Sequence, residues 1–265
     1  MLRSTDGAAR HLAPLRASVA GTALATLLRT ATEPLRLERS FRLTASGLAH
    51  DRFLLSMPAG AAPPGLMAGL AALGLPASAQ AAAMAAWPRA AFVHLGMDGD
   101  VLKLYLERAP GLAMDGGAGP PLYRAWKWQP ATGALAEDRY QQVPPEQVST
   151  RLAAVPAPLQ PALRAMLAVL GAKPGWLFAL DVLGQDQRRS LDLRCYDFGR
   201  CVGDIATPLT LAAAVLGTPP AALNAALGVH RHDALGHVAL GLGRGGTLFL
   251  SVYAGAEPVD PAALA

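Results

Sequence analysis

Five pairs of alternating apolar and polar segments recur along this chain of 265 residues, and a short turn containing glycine joins each pair. Alternation with period two is typical of a strand that has one apolar face and one polar face. Two such segments joined by a glycine turn are typical of a β-hairpin. The sequence therefore predicts ten antiparallel strands in five hairpins: 34–44 with 48–57, 90–97 with 101–108, 121–129 with 137–143, 176–183 with 189–198, and 236–243 with 246–254.

Segments rich in alanine and leucine with helical spacing separate most of the hairpins: 10–30, 63–86, 145–171 and 206–228. A repeated unit of helix and hairpin can close in two ways, as an open sheet with helices on one face or as a barrel with helices outside. Ten strands favour the barrel, because a strongly twisted sheet of that size curls and closure removes its exposed edges. We therefore expect an α+β protein with a ten-stranded antiparallel closed barrel surrounded by helices, formed by one domain over residues 1–265.

Composition limits the function classes. The net charge is +4, but lysines and arginines are scattered with no run long enough to follow a nucleic-acid backbone, so a local anionic ligand is expected and nucleic acid is not. The spacing of Cys195 and Cys201 matches no zinc or disulfide framework, which favours a reducing cytoplasm. No segment reaches the roughly 18 to 20 apolar residues that a membrane span needs.

The polar strand faces are the candidates for function. If the apolar faces pack against helices, the barrel lumen receives acids, cations and aromatic rings from several hairpins: Arg36, Glu38, Ser40, Arg42, Lys103, Tyr105, Glu107, Asp192, Arg194, Tyr196, Phe249, Ser251 and Tyr253. The alternative is that these faces meet water, as in any half-exposed antiparallel sheet. Periodicity leaves both alternatives open.

The run Leu37–Leu43, followed by Arg52–Leu55, resembles the first hairpin of the cyanobactin-type peptide prenyltransferases, which are ABBA or PT-barrel enzymes. The similarity continues more loosely at His94–Asp98 with Leu102–Leu106, at Leu191–Arg194 and at the closing hairpin from Gly241 to Tyr253. The resemblance implies transfer of an isoprenoid, dimethylallyl or geranyl, from its diphosphate to a nucleophilic side chain or terminus of a ribosomally made peptide.

Particular roles follow from the resemblance. By position, Glu38 matches the acid/base glutamate of that family, and Arg52 and Lys103 match its diphosphate-binding cations. Tyr105 stands where a histidine is often found and Arg194 where a tyrosine is often found. Those two residues and Tyr253, a candidate cap over the donor, complete the expected diphosphate site. The resemblance also implies Mg²⁺ bridging the diphosphate, with no metal site expected from protein ligands alone.

The chemistry agrees with these roles. Breaking the carbon–oxygen bond of an allylic diphosphate leaves a cation and a departing polyanion, which preorganised arginine, lysine and tyrosine donors stabilise. The allyl cation needs aromatic faces and no competing water. The expected prenyl and acceptor pocket is therefore lined by aromatic side chains: Phe249, Tyr196, Trp126 and Trp128.

Alternatives remain at this stage. The same barrel could prenylate a small aromatic molecule, or the chain could be a non-catalytic protein that binds an anionic ligand. Glu38 could be an exposed strand acid paired with Arg36 or Arg52, and the two tryptophans could be core residues. Glu38 discriminates between enzyme and binding protein, because a catalytic acid belongs inside the cavity.

Overall fold

The computed structural model of the chain describes residues 15, 19–109, 121–173, 177–184 and 188–264. Its strands form one closed antiparallel barrel in the order β1-β10-β9-β8-β7-β6-β5-β4-β3-β2. The predicted fold class, a ten-stranded antiparallel barrel with surrounding helices, is confirmed. The strands are β1 (Leu35–Thr44), β2 (Gly47–Pro58), β3 (Ala90–Asp98), β4 (Val101–Arg108), β5 (Tyr123–Gln129), β6 (Ala134–Gln142), β7 (Ala179–Gly184), β8 (Arg189–Arg194), β9 (Leu235–Leu242) and β10 (Leu248–Val259).

The helices follow the predicted alanine-rich and leucine-rich segments, but three of these segments each hold two helices. Gly74 and Gly217 have left-handed φ values of 82° and 70°, and a proline follows each within two residues, so the helix must end there. In the segment 145–171 the break falls at Pro156. The α-helices are α1 (Val19–Leu28), α2 (Leu66–Ala72), α3 (Ala77–Ala86), α4 (Val148–Ala153), α5 (Gln160–Leu170), α6 (Ala206–Leu216) and α7 (Pro220–His230).

Short 3₁₀ turns occupy several connections: Ala59–Ala61, Trp87–Arg89, Pro145–Gln147, Ala157–Leu159, Tyr196–Phe198, Val202–Ile205, Arg244–Gly246 and Pro261–Leu264. One of them corrects a predicted boundary, since the strand expected to run to residue 198 ends at Arg194. Cys195 is buried in the core and Gly199 adopts a left-handed φ of 60°, so the chain turns where the alternation alone suggested a longer strand. Residue 176, the expected start of that hairpin, lies outside the described residues.

By packing, the chain divides into two compact units. Unit 1 comprises Met1–Arg39, Asp51–Glu137 and Ala256–Ala265. In its core, alternate residues of β2, β3 and β4 pack with helix residues such as Leu28, Leu70 and Ala83. From these three strands the core contains Phe53, Leu55, Met57, Val93, Leu95, Met97, Leu102, Leu104 and Leu106.

Unit 2 comprises Ser40–His50 and Asp138–Gly255. Its core likewise joins alternate strand residues to helix residues, among them Met166 of α5 and Leu209 of α6. The strand residues include Leu191, Leu193, Val238, Leu240, Leu250 and Val252. In each unit the apolar strand faces therefore pack against helices, as the alternation predicts. We call the opposite face of each strand its inner face. That the whole chain forms one domain stays a prediction.

No single helix in the described ranges is long and apolar enough to cross a membrane. A bent pair, Pro145–Ala153 and Ala157–Leu170, reaches the required length and composition across a bend of 103°.

Gly241 shows how closely the strands of unit 2 approach each other. Its φ is +145°, and a Cβ added there would lie 2.5 Å from the carbonyl oxygen of Arg189 and 2.8 Å from Cα of Ser190. Both atoms belong to the backbone of β8, which is the strand paired with Gly241, so they cannot move aside independently.

Gly241→Ala is expected to lower the free energy of unfolding by about 2 kcal/mol or more, because it combines a strained φ with a backbone collision. The matched control is Gly228→Ala in α7, where an added Cβ meets no atom within 4 Å. That change should stabilise the helix by up to about 1 kcal/mol. Urea unfolding of both variants measures the difference, and equal midpoints would contradict the strand spacing.

Candidate active site

The inner face of unit 1 brings lysines, an arginine and acids together through the strand register. Arg52 of β2 lies opposite Asp98 of β3, Gly96 of β3 lies opposite Lys103 of β4, and Lys103 lies opposite Lys127 of β5. Because side chains of directly opposite residues point to the same face, these groups form a compact charged patch. We call Arg52, Asp98, Lys103 and Lys127 the cation cluster.

Ion pairs order the cation cluster. Asp98 forms ion pairs with two cations: Arg52 Nε lies 2.9 Å from Oδ1, and Lys103 Nζ lies 3.0 Å from Oδ2. Arg52 is 4% exposed, Lys103 8% and Lys127 7%. The structure thus brings together two of the residues predicted to bind a diphosphate and links them through one carboxylate.

Lys127 is a member of the cluster that the sequence did not single out. Its Nζ lies 5.7 Å from the centroid of the Tyr105 ring, a cation–π arrangement. Trp126 and Trp128, on either side of it in the sequence, were predicted to be functional instead. The period-two pattern contains the missing signal, since a lysine between two apolar residues of a strand must point to the opposite face.

Glu38 is buried at 4% exposure on β1. Its neighbour Leu37 belongs to the core of unit 1, so Glu38 is on the inner face. The alternative of an exposed strand acid is therefore wrong. Its role as the acid/base residue stays a prediction.

A histidine network lies on the same inner face of unit 1. His94 Nδ1 lies 2.7 Å from Ser56 Oγ, and His94 Nε2 lies 3.0 Å from Glu107 Oε2. The ring of Tyr105 stands edge-on to the imidazole at 6.4 Å between centroids, and the ring of Tyr123 lies 5.8 Å away. Tyr105 thus contacts both this network and Lys127.

In unit 2, the remaining predicted donors lie around His237. Tyr253 of β10 and His237 of β9 are opposite each other, with ring centroids 5.8 Å apart. Tyr196 stands edge-on to His237 at 4.8 Å, and Asp192 Oδ1 lies 3.3 Å from its Nδ1. The guanidinium carbon of Arg194 lies 5.5 Å from the Tyr196 ring. Three predicted residues, Arg194, Tyr196 and Tyr253, therefore share one neighbourhood.

A second charged group of unit 2 was not predicted. Asp138 is fully buried and accepts two arginines, with Arg188 Nη1 at 3.2 Å and Arg244 Nη2 at 2.9 Å. Gly184 lies opposite Asp138, and a side chain at Gly184 would collide with that carboxylate. Phe249 lies beneath Arg42, whose guanidinium carbon is 3.9 Å from the ring centroid. The predicted π wall at Phe249 therefore already has a cation stacked on it.

Tyr140 lies on the inner face of β6 among these groups. Burial raises the pKa of its phenol well above the ordinary value, Asp138 adds to that rise, and Arg188 opposes it. The phenol stays protonated at neutral pH and can donate a hydrogen bond.

The assignment of Trp126 and Trp128 to a prenyl or acceptor pocket is wrong. Both are buried in the core of unit 1 with the apolar residues that pack against the helices. The indole N–H of Trp128 donates to the carbonyl oxygen of Leu73 at 2.9 Å, in the turn that follows α2. Lys127 lies on the inner face of β5, so Trp126 and Trp128 on either side of it point to the helix-facing side.

The two acids at the centres of these charged groups already have cationic partners. Asp98 and Asp138 are each engaged by two cations, which leaves them poorly suited to coordinate a metal. Among the described residues, no group of three or more histidine, cysteine, aspartate or glutamate side chains could hold a metal ion.

The closed ten-stranded barrel with surrounding helices matches the fold of the ABBA-type, or PT-barrel, prenyltransferases. A 5-dimethylallyl tryptophan synthase from Streptomyces coelicolor, solved in complex with DMASPP and Trp, superposes with a TM-score of 0.60 at 13% identity over 94% of this chain and 92% of that chain. A 6-dimethylallyltryptophan synthase from Micromonospora olivasterospora, in complex with the same compounds, gives 0.60 at 14% identity over 94% and 95%. No family model matches the sequence, and neither does any curated protein.

Trp128→Phe tests the corrected placement. It removes the indole donor to Leu73 and leaves a small void, so the free energy of unfolding should fall by about 1 to 3 kcal/mol. Urea unfolding measures the loss, and Trp87→Phe in the half-buried 3₁₀ turn at the edge of the core is the matched control, for which a smaller loss is expected. A Trp128→Phe protein as stable as the wild type would contradict the core assignment.

Proposed function

We propose that this chain is a prenyltransferase, an isoprenoid transferase that moves a dimethylallyl or geranyl group from its diphosphate to a nucleophilic acceptor. The observation that carries the proposal is the direct opposition of Lys103 and Lys127 on adjacent strands, each less than one tenth exposed. Two buried lysine side chains on the same face of neighbouring strands, with Arg52 nearby, concentrate positive charge that is complementary to the oxygens of a diphosphate.

The cation cluster suits the leaving group. Lysine and arginine donors held rigidly by strands stabilise the charge that develops on departing diphosphate oxygens without reorganising during the reaction. Asp98 forms an ion pair with each of Arg52 and Lys103, which orients both donors before a substrate arrives. Tyr105, which lies edge-on to His94 and has Lys127 over its ring, adds a phenol at the edge of the same patch.

Bond formation at the acceptor releases a proton, and we assign its removal to Glu38. Glu38 is a buried carboxylate on the inner face, so it can act as a general base there. Its buried surroundings also exclude water from the allyl cation. The carbon–oxygen bond of the donor breaks with its electron pair on oxygen, the acceptor forms the new carbon bond, and Glu38 takes the proton that the acceptor loses.

The Mg²⁺ implied by the resemblance would be bound through the oxygens of the diphosphate itself. This proposal follows from the acids of the patch, because Asp98 is already engaged by Arg52 and Lys103. Mg²⁺ prefers phosphate oxygens and water to cages made only of protein ligands. No step above depends on it.

Two classes of acceptor are compatible with this chemistry. A small aromatic molecule such as an indole is favoured by the fold, since both named structures of comparable size are tryptophan prenyltransferases bound to Trp. A peptide acceptor rests on the resemblance of the first hairpin to peptide prenyltransferases. Aromatic acceptors are therefore our first proposal, and a peptide that carries such a side chain is the second.

Lys127→Gln should weaken binding of dimethylallyl thiolodiphosphate about 10-fold to 100-fold, which is the worth of one charge-assisted contact. Calorimetry measures the affinity of the wild type and of each variant. The matched control is Lys173→Gln, which is exposed. Unchanged affinity in Lys127→Gln would contradict the proposed donor site.

Glu38→Gln should lower the rate of prenyl transfer by about 100-fold to 10,000-fold, the usual contribution of a general base. Donor-analogue affinity should change much less, because the proposed role concerns the acceptor proton. The assay incubates dimethylallyl diphosphate with free tryptophan or with a linear peptide containing tryptophan, and mass spectrometry identifies the product. Equal rates for Glu38→Gln and wild type would remove Glu38 from the mechanism.

A further inference from the structure

A carboxylate between two aromatic residues lies on the inner face of unit 1, and the proposed mechanism does not use it. Glu107 of β4 is directly opposite Phe92 of β3 on one side and directly opposite Tyr123 of β5 on the other. Because opposite residues point to the same face, the two rings flank the carboxylate. Neighbouring strands lie about 4.8 Å apart, so the backbones that carry the two rings are about 9 to 10 Å apart. We call Phe92, Glu107 and Tyr123 the acid–aromatic group.

His94 lies beside all three members of the acid–aromatic group. Its Nε2 is 3.0 Å from Glu107 Oε2. The centroid of its ring lies 6.5 Å from that of Phe92 and 5.8 Å from that of Tyr123. The hydrogen bond orients the carboxylate between the rings before any ligand arrives, which lowers the entropy cost of binding.

The inner face is accessible at the acid–aromatic group. Val93 belongs to the core, so Phe92 points to the inner face, yet it is 41% exposed. The side chain of Glu107 is 13% exposed, and Tyr123 is half-buried. A ligand can therefore approach the carboxylate along the Phe92 ring, whereas the cations Arg52 and Lys103 are more deeply buried.

The acid–aromatic group has the chemistry that recognises a protonated amine. An ammonium group only donates hydrogen bonds and an ionised carboxylate only accepts them. The negative face of an aromatic ring also attracts a cation. An anionic ligand would meet a like charge at Glu107, so this group selects the opposite charge from the cation cluster.

We propose that Glu107, Phe92 and Tyr123 form a subsite for a protonated amine of the prenyl acceptor, and its assignment to the acceptor rests on the proposed function. Glu107 accepts hydrogen bonds from the ammonium group, and the two rings supply cation–π contacts. The subsite lies on the same inner face of unit 1 as Glu38. It selects acceptors that carry an amine in addition to the aromatic ring, either a small aromatic amine or a peptide with an aromatic residue at its N-terminus.

The experiment compares indoles that differ in the charge at one end. Tryptamine carries an ammonium group, tryptophol has a neutral hydroxyl in its place, and indole-3-propanoate carries a carboxylate. Calorimetry measures the affinity of each compound for the wild type, Glu107→Gln and Glu137→Gln. Glu137 is the matched control, because it is also a strand carboxylate of unit 1 with a basic partner, Arg124 at 3.0 Å. Arg124 lies on the helix-facing side of β5 with Trp126, away from the inner face.

Wild type and Glu137→Gln should bind tryptamine about 10-fold or more tightly than tryptophol, and indole-3-propanoate most weakly, since one charge-assisted hydrogen bond has that effect. Glu107→Gln should lose most of this preference and keep its affinity for tryptophol. Phe92→Leu keeps an apolar side chain but removes the ring, so it should weaken tryptamine binding about two-fold to five-fold.

The dipeptide amide Trp-Gly-NH₂, with and without an N-acetyl group, distinguishes the two sources of the amine. Tighter binding of the free amine than of the acetylated form, lost in Glu107→Gln, would support the subsite with a peptide N-terminus as its ligand. The tryptamine preference without this difference would support the subsite with a small aromatic amine as its ligand.

The outcomes for the subsite and for the proposed function are separate. Equal affinity of the wild type for tryptamine and tryptophol, or an unchanged preference in Glu107→Gln, would overturn the amine subsite and leave the donor site intact. A wild type that prefers tryptamine through Glu107 but does not bind dimethylallyl thiolodiphosphate would overturn the proposed function. The assignment of the amine to a prenyl acceptor would then be wrong as well.

Discussion

The structure depends on the alternation of apolar and polar residues along strands that pair into a closed barrel. Each strand commits its apolar face to a helix, as Leu102, Leu104 and Leu106 do in β4. The residues between them are then fixed on the inner face, whatever their charge. Lys103, Tyr105 and Glu107 are buried or half-buried for that reason. The free-energy cost of burying these polar side chains depends on the groups that they contact there.

Electrostatic compensation is arranged differently in the two units. In unit 1, Asp98 engages Arg52 and Lys103, while Lys127 lies opposite Lys103. In unit 2, the fully buried Asp138 engages Arg188 and Arg244. In each unit, two cations therefore contact one carboxylate on the inner face. The apolar strand faces lie on the opposite side, in the cores that pack against helices.

Much of this architecture follows from local pattern. The five hairpins and the helix-facing strand sides were predicted because period-two alternation and glycine turns act over a few residues. Alternation placed Glu38 on the strand face opposite Leu37 and Phe41 but left open whether that face meets water, and the resemblance of the first hairpin favoured a place inside the cavity. The breaks inside the helical segments could also have been read from Gly74 and Gly217, each followed closely by proline.

Other features depend on contacts that local pattern does not contain. The pair between Asp138 and Arg244 joins residues 106 positions apart, so no spacing in the sequence announces it. Trp126 and Trp128 were misassigned because two aromatic residues on one face fit a pocket wall and a core equally well. Lys127 pairs with Lys103 on the inner face, so the tryptophans on either side of Lys127 lie on the opposite, helix-facing side and belong to the core. Tyr196 left its expected strand because Cys195 is drawn into the core.

The most direct test of the central claim is a crystal structure of the protein with dimethylallyl thiolodiphosphate bound. We predict that diphosphate oxygens lie within hydrogen-bonding distance, about 2.7 to 3.2 Å, of Lys103 and Lys127. We also predict that the allyl chain extends along the inner face. Diphosphate density away from both lysines, in a protein that binds the analogue in solution, would contradict it.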